Sequence, residues 1–168
     1  MPDIPDRFVA ALAIASAFVV FLTVDQMHWW KSKPDYAFGW LVPVFIVYLI
    51  YDRWAKLREI FRVVGPSPLP VGVQRFLAIG AALLLGGGLV CFMAGAIYRA
   101  GAGVTQPGSL ALAFGFAGVL PALIYFNTPA GSVGPETPAT TWRALLSDSR
   151  LRATALFLFP ALIWILSA

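Results

Sequence analysis

The 168-residue sequence contains one cysteine and one histidine, and only 12% of its residues are charged. A single cysteine, Cys91, excludes an intramolecular disulfide and a metal site built from several cysteines. The sequence also lacks a glycine-rich phosphate loop, the histidine and cysteine spacing of metal sites, and a Ser-His-Asp set. It therefore predicts neither a cofactor nor a metal. Soluble domains carry roughly 25% charged residues, so the charge content argues against a soluble protein.

Hydrophobic residues are abundant instead, at 60% of the chain with a mean hydropathy of +0.80. Five apolar runs are long enough to cross a bilayer, if flanking Trp and Tyr rings complete the shorter ones. None of these runs alternates apolar and polar residues as the strands of a membrane barrel do. The prediction is an all-α, polytopic integral membrane protein with one transmembrane domain, residues 1–168. The predicted spans are residues 8–24, 38–54, 76–98, 109–126 and 153–168.

The distribution of basic residues predicts the orientation of these spans. With five spans, nine lysines and arginines fall on the side of the amino terminus and three on the other side. Cytoplasmic loops are enriched in basic residues, so we expect the amino terminus in the cytoplasm. Basic loops beside anionic headgroups also account for the net charge of +4, and no nucleic-acid partner is predicted.

A polar and aromatic segment from His28 to Pro43 separates the first two apolar runs. Four Trp and Tyr residues lie within its first dozen positions or so, which indicates a membrane boundary. His28 is either a proton carrier or substrate-binding group, because histidine titrates near neutral pH, or an interfacial residue beside a tryptophan belt. Asp25 ends the first span, where a carboxylate is costly unless it is paired, and Lys31 or Lys33 is the expected partner.

Two further segments have predicted structure. From Trp54 onward, apolar and charged residues fall on opposite faces of a short helix that we expect to lie in the cytoplasmic interface. The third span is rich in glycine, and Gly87, Cys91 and Gly95 are spaced by four residues. This spacing predicts a strip of small residues that lets another helix approach closely, with Cys91 as a packing residue rather than a nucleophile.

The segment Asp35-Tyr36-Ala37-Phe38-Gly39-Trp40-Leu41-Val42-Pro43, followed by Tyr48-Leu49-Ile50-Tyr51-Asp52-Arg53, resembles the early part of the exosortase/archaeosortase family. The match covers roughly residues 28–54. Tyr36, Gly39 and Pro43 match positions of the early motif, and His28 and Trp29 are further substrate-binding or motif candidates.

The resemblance implies a membrane cysteine transpeptidase or protease of the bacterial cytoplasmic (inner) membrane. Such enzymes process carboxy-terminal sorting signals of exported proteins, for example the Pro-Glu-Pro type, with a Cys nucleophile, a His base and an Arg. Those three groups must converge at one site, and no Cys-Ser-Gly-like motif occurs in this chain. The resemblance therefore assigns no catalytic residue here.

Two hypotheses remain open at this stage. The first is the amino-terminal, non-catalytic part of an exosortase-like enzyme, truncated after Ala168, with a sorting-signal peptide and a missing carboxy-terminal half as partners. The second is a small structural subunit of a larger membrane complex. A transporter ranks below both, because the spans carry almost no paired charges.

Overall fold

The computed structural model describes residues 4–62, 66–131 and 141–166. All regular secondary structure in these ranges is helical, which confirms the predicted all-α class. Six α-helices and one short 3-10 segment, Pro34–Trp40, follow one another along the chain. The helices are α1 (Asp6–Ser32), α2 (Leu41–Arg62), α3 (Val71–Ala102), α4 (Gln106–Asn127), α5 (Thr141–Ser147) and α6 (Ser149–Leu166).

Four helices, α1 to α4, are long and apolar enough to cross a membrane, so the chain is an integral membrane protein. The fifth predicted span, 153–168, corresponds to α6, which is not among these four, and its last two positions lie outside the described residues. Helix α6 nevertheless runs along the same bundle as the others. Its Phe157 ring contacts Phe8 near the start of α1, and its Trp164 ring contacts Trp30 near the end of α1.

Helix α4 forms the centre of the bundle. Its most apolar stretch is 61% buried, against 11% for α3, and it packs against α1, α3 and α6. One end of the bundle, called here the tryptophan end, holds Trp29, Trp30, Trp40 and Trp164. The opposite end, called the basic end, holds nine lysines and arginines, as the predicted alternation of spans requires. These are Arg7, Arg53, Lys56, Arg58, Arg62, Arg75, Arg143, Arg150 and Arg152.

The first two helices are longer than the sequence predicts. Helix α1 continues through Ser32, because the first helix-breaking residue after Val24 is Pro34, which holds Lys33 extended. Helix α2 continues from Leu41 to Arg62 without interruption, so the separate interfacial helix expected after Trp54 is wrong. Its second half stays with the bundle because Leu57, Ile60 and Phe61 are buried there. The edge of the Phe61 ring contacts Phe8 with 4.6 Å between ring centroids.

Glycines bring α3 and α4 into close contact. A Cβ atom on Gly88 would lie 2.8 Å from the carbonyl oxygen of Gly115, and one on Gly95 would lie 3.0 Å from that of Gly108. Helix backbones approach so closely only where side chains are absent or very small. The thiol of Cys91 lies between these two glycines and donates to the carbonyl oxygen of Ala111 at 3.4 Å.

Of the three residues of the predicted strip, Cys91 and Gly95 face α4 in the structure, and Gly87 does not. Gly87 is exposed, and no atom lies within 4 Å of the position of its Cβ. Each residue turns an α-helix by about 100°, so only one of the neighbouring glycines can face α4. Gly88, three residues before Cys91, takes that place.

A proline inside α6 creates the main polar contact between α2 and α6. Pro160 has no N–H to donate, so the carbonyl oxygen of Leu156, four residues earlier, loses its helical partner. Arg53 of α2 donates from Nη1 to that oxygen at 2.8 Å. Its guanidinium also stands over the Phe159 ring, 5.9 Å from the ring centroid.

Candidate functional site at the tryptophan end

The charged centre of the candidate site is a buried ion pair between Asp25 and Arg99. Asp25 lies in the last third of α1 and is 1% exposed, while Arg99 comes from the last turn of α3. A carboxylate at membrane depth is costly unless a cation compensates it, so this pair joins the ends of α1 and α3. Arg99 remains partly exposed, with 25% of its side chain accessible.

The predicted partners of Asp25, Lys31 and Lys33, are wrong. Because α1 remains helical, Lys31 is six residues and roughly 9 Å farther along the axis than Asp25, on another face. Lys31 instead places its ammonium 5.9 Å from the centroid of the Trp40 ring. Lys33 places its ammonium 5.0 Å from the centroid of the Trp29 ring.

A second polar contact joins α1 to the first turn of α4. Trp29 donates from its indole nitrogen to the hydroxyl oxygen of Ser109 at 3.1 Å, and Ser109 is fully buried. Gln26 is also fully buried, next to Asp25 in the chain. We call Asp25, Gln26, Trp29, Arg99 and Ser109 the polar cluster. It connects α1, α3 and α4 at the tryptophan end of the bundle.

The 3-10 segment packs directly on this end of the bundle. Gly39 is buried against the indole ring of Trp30, which a Cβ atom at this position would overlap. Trp30 in turn contacts Trp40, with 5.4 Å between ring centroids, and Trp164, with 6.5 Å. Any side chain at position 39 would push the segment off Trp30, so Gly39 has a packing reason to be glycine.

The structure does not gather the predicted motif residues into one pocket. His28 is exposed on the last turns of α1, with the edge of its ring toward Trp29. Pro43 lies half-buried in the first turn of α2. Tyr36 belongs to the 3-10 segment, and its side chain lies outside the described part of the structure. Trp29 and Gly39 are engaged in the packing contacts given above.

Arg99 and Ser109 are the site residues that sequence reasoning missed. Arg99 was visible as the lone cation between the third and fourth spans, on the same predicted side as Asp25. The same predicted side also holds Lys31 and Lys33, so the sequence offers three cations to Asp25 and does not by itself select Arg99.

Cys91 lies far from the polar cluster. It precedes Arg99 by eight residues on the same helix, which places it roughly 12 Å deeper along the axis. His28 lies one turn farther out than Asp25. Among the described residues, no group of three or more His, Cys, Asp or Glu side chains is arranged to hold a metal ion.

Comparison with known proteins identifies no relative: no family model matches the chain, and neither a curated protein nor a solved structure is significantly similar to it.

Proposed function

We propose that this chain is a non-catalytic, membrane-embedded subunit that packs into a larger membrane complex. The proposal rests on one observation: the polar groups that could have served chemistry or binding are engaged in contacts between helices. The Cys91 thiol is directed at the Ala111 carbonyl, Arg99 is paired with Asp25, and Trp29 is bonded to Ser109. Each of these groups joins one helix to another, which is the behaviour of a scaffold.

Photo-crosslinking in native membranes tests the subunit proposal. A photoreactive amino acid is placed singly at Leu83 or Val90 of α3, or at Ile14 of α1, which are all exposed. A subunit of a complex gives a protein adduct of one discrete mass at one or more of these positions. Lipid adducts alone at all three positions, with a particle of monomer mass in gentle detergent, would contradict the proposal.

A second candidate function is the non-catalytic part of an exosortase-like transpeptidase that receives a sorting-signal peptide. The cations at the tryptophan end favour it, because exposed Lys31 and Lys33 stand beside exposed His28 and partly exposed Arg99. An acidic sorting signal of the Pro-Glu-Pro type would meet complementary charge at this rim. In this form the Cys, His and Arg of the reaction belong to a partner or to another part of the protein.

Peptide binding separates the two candidates. A fluorescent Pro-Glu-Pro peptide is titrated onto the protein in nanodiscs, and the same peptide with Gln in place of Glu is the ligand control. Under the exosortase hypothesis, Lys31→Gln with Lys33→Gln weakens binding several-fold, and Arg58→Gln at the basic end does not. Equal binding of the two peptides, or none, favours the structural subunit. Neither peptide should be cleaved by this chain alone.

We also propose a bacterial inner membrane as the location, with the basic end in the cytoplasm. The nine-to-three distribution of Lys and Arg between the two ends supports this orientation. A reporter fused after Pro66 should be active on the cytoplasmic side, and one fused after Ser32 should be active on the external side. The reverse pattern would overturn the orientation.

A further inference from the structure

Helix α5 presents an apolar patch at the basic end of the bundle. With seven residues it is far too short to cross a bilayer. Its Trp142 and Leu146 lie four residues apart, so they share one face of the helix, and they are 68% and 58% exposed. Ala144, on the opposite face, is only 4% exposed. The helix therefore packs through a small residue and turns its two large apolar side chains away from the protein.

The turn between α5 and α6 holds this patch in place. Asp148 is fully buried, and its carboxylate accepts a hydrogen bond from the Ser67 hydroxyl at 2.7 Å. The next residue, Ser149, donates from its hydroxyl to the carbonyl oxygen of Pro129 at 2.6 Å and from its N–H to that of Gly131 at 3.0 Å. These bonds tie the end of α5 to the segments that precede α3 and follow α4. The direction of the Trp142 face is therefore set by the fold.

Chain connectivity fixes the depth of the patch. The apolar run of α6 begins at Ala153, directly after exposed Arg152, and a charged side chain marks the edge of the hydrocarbon. Leu146 lies three residues before α6 begins at Ser149, which is at most roughly 11 Å of chain. The headgroup layer adds roughly 5–7 Å on each side of the hydrocarbon core. Helix α5 therefore lies in or beside the headgroup layer, whichever way it points.

The charge around the patch is positive. In the described part of α5 and α6 the bases are Arg143, Arg150 and Arg152, and the one acid, Asp148, is buried and bonded. Arg143 is exposed and follows Trp142 by about 100° around the helix, so the cation and the indole lie side by side. Anionic headgroups attract such cations, and tryptophan rings settle at headgroup level. A short helix with this composition is typical of segments that lie in the membrane interface.

We infer that α5 is a membrane-surface anchor that inserts Trp142 and Leu146 into the leaflet at the basic end, with Arg143 facing anionic phospholipid headgroups. The indole ring gains an apolar environment there while its N–H still reaches a headgroup or water. This anchor does not depend on the proposed role as a subunit, because the membrane itself supplies the partner.

Site-directed spin labelling in nanodiscs tests this inference. The label is attached to Leu146→Cys in a Cys91→Ala background of the full chain, so that no other thiol reacts. Oxygen, which concentrates in lipid, and a water-soluble nickel chelate each relax the label by collision. In nanodiscs of phosphatidylethanolamine and phosphatidylglycerol, we expect the oxygen-to-nickel ratio at position 146 to exceed that of the neighbouring control, Arg143→Cys, several-fold. Leu83→Cys on the exposed face of α3 gives the reference ratio for hydrocarbon.

Two further changes test the cause of the insertion. Trp142→Gln should lower the ratio at position 146 several-fold and leave the ratio at position 83 unchanged, which also checks folding. Replacing phosphatidylglycerol by phosphatidylcholine should lower the ratio at position 146 as well. Equally low ratios at positions 146 and 143 would show a patch that faces water, as a docking face for a soluble protein does, and overturn the inference. A label at position 146 that neither reagent reaches would show a patch covered by protein and overturn it too. An unchanged ratio in phosphatidylcholine overturns the anionic part.

Discussion

The contact between Arg53 and Leu156 can be measured by a double-mutant cycle with Pro160. Arg53→Met keeps an apolar stem but leaves the Leu156 carbonyl oxygen without a donor. A hydrogen bond from a charged donor contributes about 1.5–3 kcal/mol to stability. The cation over Phe159 adds about 0.5–1 kcal/mol. We therefore expect Arg53→Met to lower the free energy of unfolding by about 2–4 kcal/mol.

Pro160→Ala changes this result because Ala supplies the missing N–H. In that background the Leu156 carbonyl has a helical partner, and Arg53→Met should cost only the ring contact, about 0.5–1 kcal/mol. The packing lost with the proline ring is common to both backgrounds and cancels. The expected coupling energy is therefore the hydrogen-bond contribution, about 1.5–3 kcal/mol, within the range for residues that share one partner.

The assay is reversible unfolding with sodium dodecyl sulfate in mixed micelles, followed by tryptophan fluorescence. Arg58→Met is the control, because Arg58 lies on the same helix and is exposed. Its stability should match that of the unaltered protein. Strictly additive effects of Arg53→Met and Pro160→Ala would refute the argument that the proline creates the need for the arginine.

Three further predictions concern packing. Gly88→Ala should destabilise the protein by about 1–3 kcal/mol, because its methyl group meets the backbone of α4, whereas Gly87→Ala should be neutral or stabilising; equal effects in thermal unfolding would contradict the interface. Asp25→Ala should cost about 3–5 kcal/mol by leaving Arg99 unpaired, and Asp25→Leu with Arg99→Met should recover much of that loss in the same assay. A membrane-impermeant thiol reagent should not label Cys91, and Cys91→Ala should fold normally; rapid labelling would show a reactive thiol instead.

The sequence alone predicted the all-α class correctly, because the hydrocarbon core of a bilayer admits few kinds of backbone structure. Long apolar runs without alternation must be helical, since each backbone polar group needs a partner inside its own helix. Local signals also locate some helix ends. Pro34 stops α1, and Gly103, at φ 77°, follows the end of α3. The predicted break at Trp54 was wrong, because a change from apolar to amphipathic character does not itself end a helix.

The site was less predictable because its contacts join distant parts of the chain. Asp25 had several cations within plausible reach, and the choice of Arg99 depends on which helices are neighbours. The same limit explains Gly87, because a spacing of four residues fits either of two adjacent glycines until the facing helix is known. Sequence patterns describe one helix at a time, whereas these contacts depend on which helices lie side by side and on which faces they turn to each other.

The Asp25 to Arg99 pair sets conditions on how the protein enters the membrane. Synthesis proceeds from the amino terminus, so α1 emerges well before the cation that neutralises its carboxylate. An aspartate at the centre of an inserting helix costs about 3 kcal/mol, and a position nearer the helix end lowers that cost without removing it. Helix α1 is long and apolar enough to cross the membrane by itself, but its last turns, which carry Asp25, are stabilised in the bundle only when α3 arrives. The final placement of the end of the first helix therefore depends on the third, whereas Arg53 of α2 is already synthesised when α6 presents the unpaired Leu156 carbonyl.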